Sequence, residues 1–463
     1  MKKGRLYNKQ EIEIISKSAI GKSISEIANE DIVTIPDEDS LNKGSLGQLV
    51  EQFLFGITNN NDFEPDFMPA GIELKVTPYK KLKDNKLTAK ERLVLNIINF
   101  KEEYKNDFKD SHFWMKNNTI QLLWYLWEQN KEPKDYKITH ENLLELSKNE
   151  DLAQIEKDWN YIVKKIKAGK AHELSEADTM YLGACTKGNN SLSTREQPFS
   201  DFPAMQRAFC FKKSYMTQLV RKYIGDYSNV EKVLKGTSSS FNEFINCIVD
   251  KYKGKTQKEL MNEFELESNA KNINNMLISR MFNVKNKLAE TEEFQKAKII
   301  PKTIRIEENG RIKESISFPY FKYTEIVNQN WEDCDLKEEL ETTKYMFFVF
   351  KMENGEYVFK GIKLWNMPEI DIETSVMEMW KKTYNTIKTG NIVKSVENGI
   401  RKTNFVGMSE NSVCHVRPHG RDAQDTCKLP VPDKLTGATE YTKHCFWINN
   451  TYIRGIFEEY INS

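Results

Sequence analysis

The feature that most constrains this chain is a pair of strings that occur twice in the same order. Trp159 to Gly169 reads W-x6-I-K-x-G, and the same string returns with Trp380, Ile387, Lys388 and Gly390. Phe209 to Tyr215 reads F-x4-S-Y, and Phe446 to Tyr452 reads F-x4-T-Y. Order and rough spacing agree between the copies, which predicts a repeated domain. The 463 residues are also too many for one ordinary domain. Domains are expected over residues 1–228 and 240–463, joined near KGTSSS (235–240), a linker-like segment.

Composition sets limits on function. With 39% hydrophobic and 11% aromatic residues, each half can bury a core. The 68 basic residues are matched by 68 acidic ones, which counts against a protein that coats nucleic acid nonspecifically. A basic cleft on a neutral body is still allowed, because the local field matters more than the sum. The seven cysteines (185, 210, 247, 334, 414, 427 and 445) are odd in number and form no CxxC, so neither a disulfide framework nor a zinc site is expected. The six histidines show no metal-ligand spacing such as HExxH. The start, MKKGRLYNKQEIEII, has no apolar signal core, and no apolar run approaches the roughly 20 residues of a membrane span. A soluble, intracellular protein in a reducing compartment is expected.

Periodicity predicts a helix over 8–30, with Ile12, Ile14, Ile15, Ile20 and Ile24 available for burial, and another over Lys43 to Gly56. The apolar face of the latter is Leu46, Leu49, Val50, Phe53 and Leu54. In GIELKV (71–76), Ile72, Leu74 and Val76 alternate with Glu73 and Lys75, the pattern of a strand with one apolar and one polar face. Residues 91–100 and 119–127 read as central apolar strands, and 141–169 as a helix. Strands flanked by helices indicate an α/β domain with a mixed sheet.

Chemistry concentrates around that polar strand. Six residues separate Asp66 from Glu73-Leu74-Lys75. Glu73 and Lys75 share one strand face, and Asp66, a turn earlier, can fold back beside Glu73. Two converging carboxylates call for a cation between them, and oxygen ligands without His or Cys favour magnesium or manganese. Such a cation can polarise a phosphodiester and activate water. Lys75 can hold that water or stabilise the phosphorus centre. Glu51, on the preceding helix, is a further candidate ligand, with Gly47 one turn earlier leaving room beside it. A D-x6-ExK string arises readily by chance in a chain with 29% charged residues. Three features set this one apart: Pro65 before the Asp, an apolar back to the strand, and KGxxGxxxE just upstream.

Lys43-Gly44-x-x-Gly47-x-x-x-Glu51, then Asp66-Phe67, then Gly71-Ile-Glu73-Leu-Lys75 resembles the MutH and Sau-3A-I family of the PD-(D/E)xK nuclease fold. The resemblance covers residues 1 to about 220 and includes 169–188 and 205–216. The second half resembles the same fold without its active site, the arrangement of Sau-3A-I type restriction endonucleases. The fold implied is two tandem MutH-like domains, each a mixed central sheet flanked by helices. The resemblance implies recognition of GATC in double-stranded DNA, magnesium dependence and double-strand cleavage in a prokaryotic cytoplasm. Glu51, Asp66, Glu73 and Lys75 are then the catalytic set, the three carboxylates holding Mg2+, and Lys116 matches a family lysine near the site. Thr186, Lys187 and Gly188 lie where the family reads bases. Their counterparts in the second half include Arg417 and Arg421, and arginine suits bidentate contact with guanine. Lys212-Lys213 and Lys80-Lys81 are candidate phosphate contacts.

Carried through the second half, the repeat places Ile300 at the position of Glu73, Met261 at Glu51, and Glu293-Phe294 at Asp66-Phe67. The second copy would keep the shape, lose two carboxylates, and serve DNA binding or regulation. Dimerisation on DNA is expected for a palindrome. Two alternatives stand beside the restriction enzyme: a strand-specific repair nickase needing a partner ATPase, and a DNA-binding regulator on a decayed nuclease fold.

Overall fold

The structure is a computed structural model that describes the chain apart from residues 1–5, 29–44, 58–63, 83, 188–192, 226–229, 235–240, 268–272, 393, 398–399 and 463. The segment 235–240, expected as a linker, lies outside the described residues. The chain divides into two compact units: Met1–Lys232 with Glu292–Lys298, and Val233–Thr291 with Ile299–Ser463. Among the described residues no helix is long and apolar enough to cross a membrane.

The first unit opens with α1 (Lys9–Ser18), α2 (Ile24–Ala28) and α3 (Ser45–Leu54). Its larger sheet has the order β2-β1-β4-β5, from β1 (Glu73–Lys81), β2 (Leu87–Ala89), β4 (Thr119–Leu126) and β5 (Ile138–Glu145). Strand β1 runs parallel to β4 over Glu73–Tyr79, and β5 is antiparallel to β4. Ile72, Leu74 and Leu123 pack with Ile12, Ile24, Leu46 and Val50 of the three helices, which is where the apolar back of β1 goes. On its other edge, among the described residues, β1 pairs with β2 only at Tyr79–Lys81, so its amino-terminal half is an open edge there. A second sheet, β3-β9-β6, is built from β3 (Leu93–Ile97), β6 (Leu182–Thr186) and β9 (Arg207–Phe211). The hairpin of β7 (Thr194–Gln197) and β8 (Ser200–Met205) extends from it. Helices α4 (His112–Asn117), α5 (Leu152–Lys167) and α6 (Lys213–Tyr223) complete the unit.

The second unit orders its strands in a comparable way. In the sheet β10-β12-β13, β10 (Ile299–Ile306) is parallel to β12 (Lys344–Glu353), which is antiparallel to β13 (Glu356–Trp365). In the sheet β11-β19-β16, β11 (Ile316–Tyr320) and β16 (Cys414–Pro418) flank β19 (His444–Ile448), as β3 and β6 flank β9. Two hairpins, β14 (Lys394–Glu397) with β15 (Ile400–Thr403) and β17 (Thr426–Lys428) with β18 (Glu440–Thr442), are added.

The repeated strings have a physical basis. Trp159 and Ile166 on α5 are buried, as are Trp380 and Ile387 on the helix Met377–Lys388. Gly169 and Gly390 end those helices at φ +69° and +66°, a conformation that suits glycine. A Cβ on Gly169 would lie 2.4 Å from the carbonyl oxygen of Phe199, and one on Gly390 2.8 Å from that of Pro432.

Several expectations are corrected. The helix expected over 141–169 starts only at Leu152, because Ile138–Glu145 is drawn into pairing with β4. The strand in 91–100 is not central: β3 lies at the edge of the second sheet. The described part of the stretch 8–30, residues 8–28, holds two helices, Lys9–Ser18 and Ile24–Ala28, with Gly21 between them at φ +87°; Ile14 and Ile20 are exposed. Glu293 and Phe294 lie in a helix, Glu292–Ala297, that packs with the first unit. Its Lys296 pairs with Asp151 and Glu292 at 2.7 Å, and the segment is helical where Asp66 lies in a loop. Met261 sits on the helix Gln257–Glu263, which packs on β13, whereas α3 packs on β1.

Candidate active site

Glu73 is the second residue of a turn-to-strand transition and the first of β1. Its side chain is 2% exposed, and Oε1 accepts a hydrogen bond from Lys75 Nζ at 2.6 Å. Lys116 Nζ stands 3.7 Å from Glu73 Oε2, an oxygen that is buried with no hydrogen-bond partner. Lys116 lies in the last turn of α4, just before β4, and donates to the carbonyl oxygen of Glu64 at 3.0 Å. Two lysines thus flank one buried carboxylate.

Asp66 is returned to β1 by a tight loop. Phe67 and Ile72 form an antiparallel bridge, and Gly71 closes the turn at φ +66°. Asp66 Oδ2 accepts the backbone N–H of Leu74 at 2.9 Å, on the open edge of β1. Phe67 packs edge-on against Phe55 at 4.8 Å and against Tyr7 at 5.8 Å. The Tyr7 hydroxyl donates to the carbonyl oxygen of Phe55. This buried aromatic group ties the end of α3, which carries Glu51, to the Asp66 loop. Gly47 stands one turn before Glu51, and a Cβ there would be 3.9 Å from Glu51 Oε1.

The charges act on one another. Burial, then the charges of Asp66 and Glu73, push the Glu51 carboxyl up to about 7, against the opposing pull of Lys75 and Lys116. Burial and then Glu73 push Asp66 up to about 6, although Lys75 and the Leu74 N–H oppose it. Burial disfavours the Lys75 ammonium, but Glu73, Asp66 and Glu51 outweigh it and hold the group above the ordinary lysine value.

The donor set is all oxygen, with one buried carboxylate oxygen that accepts no hydrogen bond among the described residues, which fits a hard divalent cation. As placed, the carboxylates have not converged: among the described residues no three His, Cys, Asp or Glu form a metal-holding group. Like charges repel, and Asp66 Oδ2 and Glu73 Oε1 are already engaged by Leu74 and Lys75.

The expected DNA contacts are scattered. Thr186 and Lys187 are exposed at the end of β6, while Gly188, like Lys43 and Gly44, lies outside the described residues. Lys212 is corrected: it is 1% exposed and donates to the carbonyl oxygen of Thr179, in the field of Glu176 and Asp158, so it cannot reach a phosphate. Lys213 is half-buried at the start of α6. Lys80 and Lys81 close β1. In the second unit Arg417 is exposed, its guanidinium 4.0 Å above the Trp447 ring, and the Arg421 side chain is 89% exposed. Two contributors to the site were invisible in sequence because they are backbone atoms, the Glu64 carbonyl and the Leu74 amide.

The family model of the DNA mismatch repair enzyme MutH matches residues 55–158, a span that includes Asp66, Glu73, Lys75 and Lys116. The chain is 37% identical over 496 aligned residues to the type II restriction enzyme Sau3AI of Staphylococcus aureus, covering 97% of this chain and 98% of that relative. The chain belongs to the Sau3AI-like restriction endonucleases of the MutH family. Shorter relatives match less of it. The DNA mismatch repair protein MutH of Vibrio cholerae serotype O1 is 25% identical over 220 residues, 46% of this chain and 96% of the relative. That of a Shewanella species is 26% identical over 209 residues, 44% and 91%. The Sau3AI-like extent, nearly end to end in both proteins, is what separates this chain from the mismatch-repair members.

Proposed function

We propose that this Sau3AI-like chain is a type II restriction endonuclease that hydrolyses both strands of DNA at GATC, with Mg2+, in the cytoplasm of a prokaryotic cell. The observation that carries the reading is Glu73, buried between Lys75 and Lys116 with one oxygen accepting no hydrogen bond among the described residues, and coupled to Asp66 and Glu51. Glu51, Asp66 and Glu73 would hold the ion, which supplies positive charge to the scissile phosphate and acidifies a water. Lys75, held charged by its carboxylates, orients the attacking water or donates to a phosphate oxygen. It acts as a cation and hydrogen-bond donor. Lys116 adds a second positive charge on the far oxygen of Glu73.

In the same reading the first unit cuts and the second is a MutH-like copy, with Ile300 where β1 has Glu73, that binds DNA or regulates the first. The parallel pairs β1–β4 and β10–β12 support the copy: Ile300 faces Tyr345 as Glu73 faces Ile120. Thr186, Lys187, Arg417 and Arg421 are proposed DNA contacts, and self-association on the palindrome is proposed with them. Incubation with unmethylated plasmid and Mg2+ tests the reading. Linear fragments support it. Open circles appearing only with a partner ATPase point to a repair nickase, and intact plasmid with every divalent ion points to a regulator.

A further inference from the structure

We propose that Glu103 is a positioning residue for the active site: a buried carboxylate that fixes α4 and, through it, the ammonium of Lys116. The inference rests on the nuclease reading of Glu73 and Lys116.

Helix α4 is only His112–Asn117, too short to hold its place by its own hydrogen bonds. Its position depends on what grips it. Glu103, 1% exposed, does so with one oxygen. Oε1 accepts the backbone N–H of Phe113, in the first turn of α4, at 3.3 Å, and the indole N–H of Trp159 on α5 at 2.8 Å. A single atom thus joins α4 to α5. Ser111 adds a cap, accepting the N–H of Trp114 at 3.1 Å. At the other end, Lys116 reaches the Glu64 carbonyl and the far oxygen of Glu73.

The grip is chemically expensive, which indicates that its geometry matters. Burial raises the Glu103 carboxyl above its ordinary value even though the indole, the Phe113 amide and His112 all favour its charged form. Its Oε2 is buried with no hydrogen-bond partner. An apolar side chain in that space would avoid both costs. What it would not supply is an acceptor shared by the two helices. Glu103 touches none of the proposed reacting groups, and the route proposed for its effect on cutting is Lys116.

The test is single-turnover cleavage of a GATC-containing plasmid at saturating DNA by the full-length protein. Glu103→Leu fills the space without an acceptor. It is expected to slow the cut at least about 10-fold, with half-saturating DNA unchanged within about 2-fold, because small displacements of a site residue are costly in rate. Glu103→Gln, whose amide oxygen can accept both bonds, is expected to keep most of the rate. In a Lys116→Ala background Glu103→Leu is expected to add less than about 2-fold, because residues acting through one another are not additive. Should the leucine variant melt, Glu103→Asp, one methylene shorter and still charged, is expected to show the same background dependence. Equal fold-losses in both backgrounds, a wild-type rate for the leucine variant, or full speed for Lys116→Ala overturn the proposal and leave the nuclease reading intact. A wild-type protein that does not cut overturns the nuclease reading itself.

Discussion

Glu73 is where the charges of the site meet: Lys75 holds one of its oxygens, Lys116 stands beside the other, and burial together with its charge raises both Asp66 and Glu51. Asp66→Ala and Glu73→Ala are therefore expected to lower cleavage by at least ~10²-fold while DNA still shifts in a gel. Full cutting by Asp66→Ala would remove it from the site. The same crowding has a cost in stability. Glu51 and Asp66 titrate at about 7 and about 6 in the fold, above the ordinary 4.5 and 3.8. An acid whose pKa is raised by folding binds its proton more tightly in the folded state. Its stabilising contribution is present at low pH and lost as pH rises from about 4 through about 7. In EDTA at pH 8, the double variant Glu51→Gln, Asp66→Asn is expected to melt a few degrees above wild type, roughly the effect of ~1 kcal/mol in units of this size. The gap is expected to narrow at pH 5. A lower melting point at pH 8 would contradict the raised values.

At the scale of elements, the parts that were legible in sequence are those governed by local periodicity. The two-residue alternation of Ile72, Leu74 and Val76 marked β1 because one face of that strand packs on helices and the other carries the site. Glu51 was reachable because α3 has a clear apolar face, Leu46 and Val50, leaving Glu51 beside it. Strand β5 was not legible: ITHENLLE has no clean alternation, and its conformation comes from pairing with β4. Lys212 looked like a surface charge because sequence does not show that Thr179, Glu176 and Asp158 enclose it. Glu103 went unread for the same reason, since its partners are 10 and 56 residues away. The repeated glycines were legible as a pattern but not as a cause. Gly169→Ala is expected to cost more than the ~1–2 kcal/mol of left-handed strain alone, because the new Cβ would meet the Phe199 carbonyl at 2.4 Å. Urea unfolding measures it, and a loss under ~1 kcal/mol would show that the β7–β8 hairpin yields.

At the scale of the whole molecule, one cutting site is proposed alongside two units of related strand order. The second unit presents an exposed arginine stacked on Trp447, and its strand β10 pairs Ile300 with Tyr345 as β1 pairs Glu73 with Ile120. Arg417→Ala in the full chain is expected to weaken DNA binding by about 1–3 kcal/mol, while the rate at saturating DNA is retained. Unchanged binding would remove Arg417 from the interface. The most direct measurement of the central claim is digestion of unmethylated plasmid with Mg2+, followed by sequencing of the fragment ends. Double-strand ends at GATC from the wild type, and none from Glu73→Ala, are the predicted result. Uncut plasmid with every divalent cation, or cutting that survives Glu73→Ala, would contradict it.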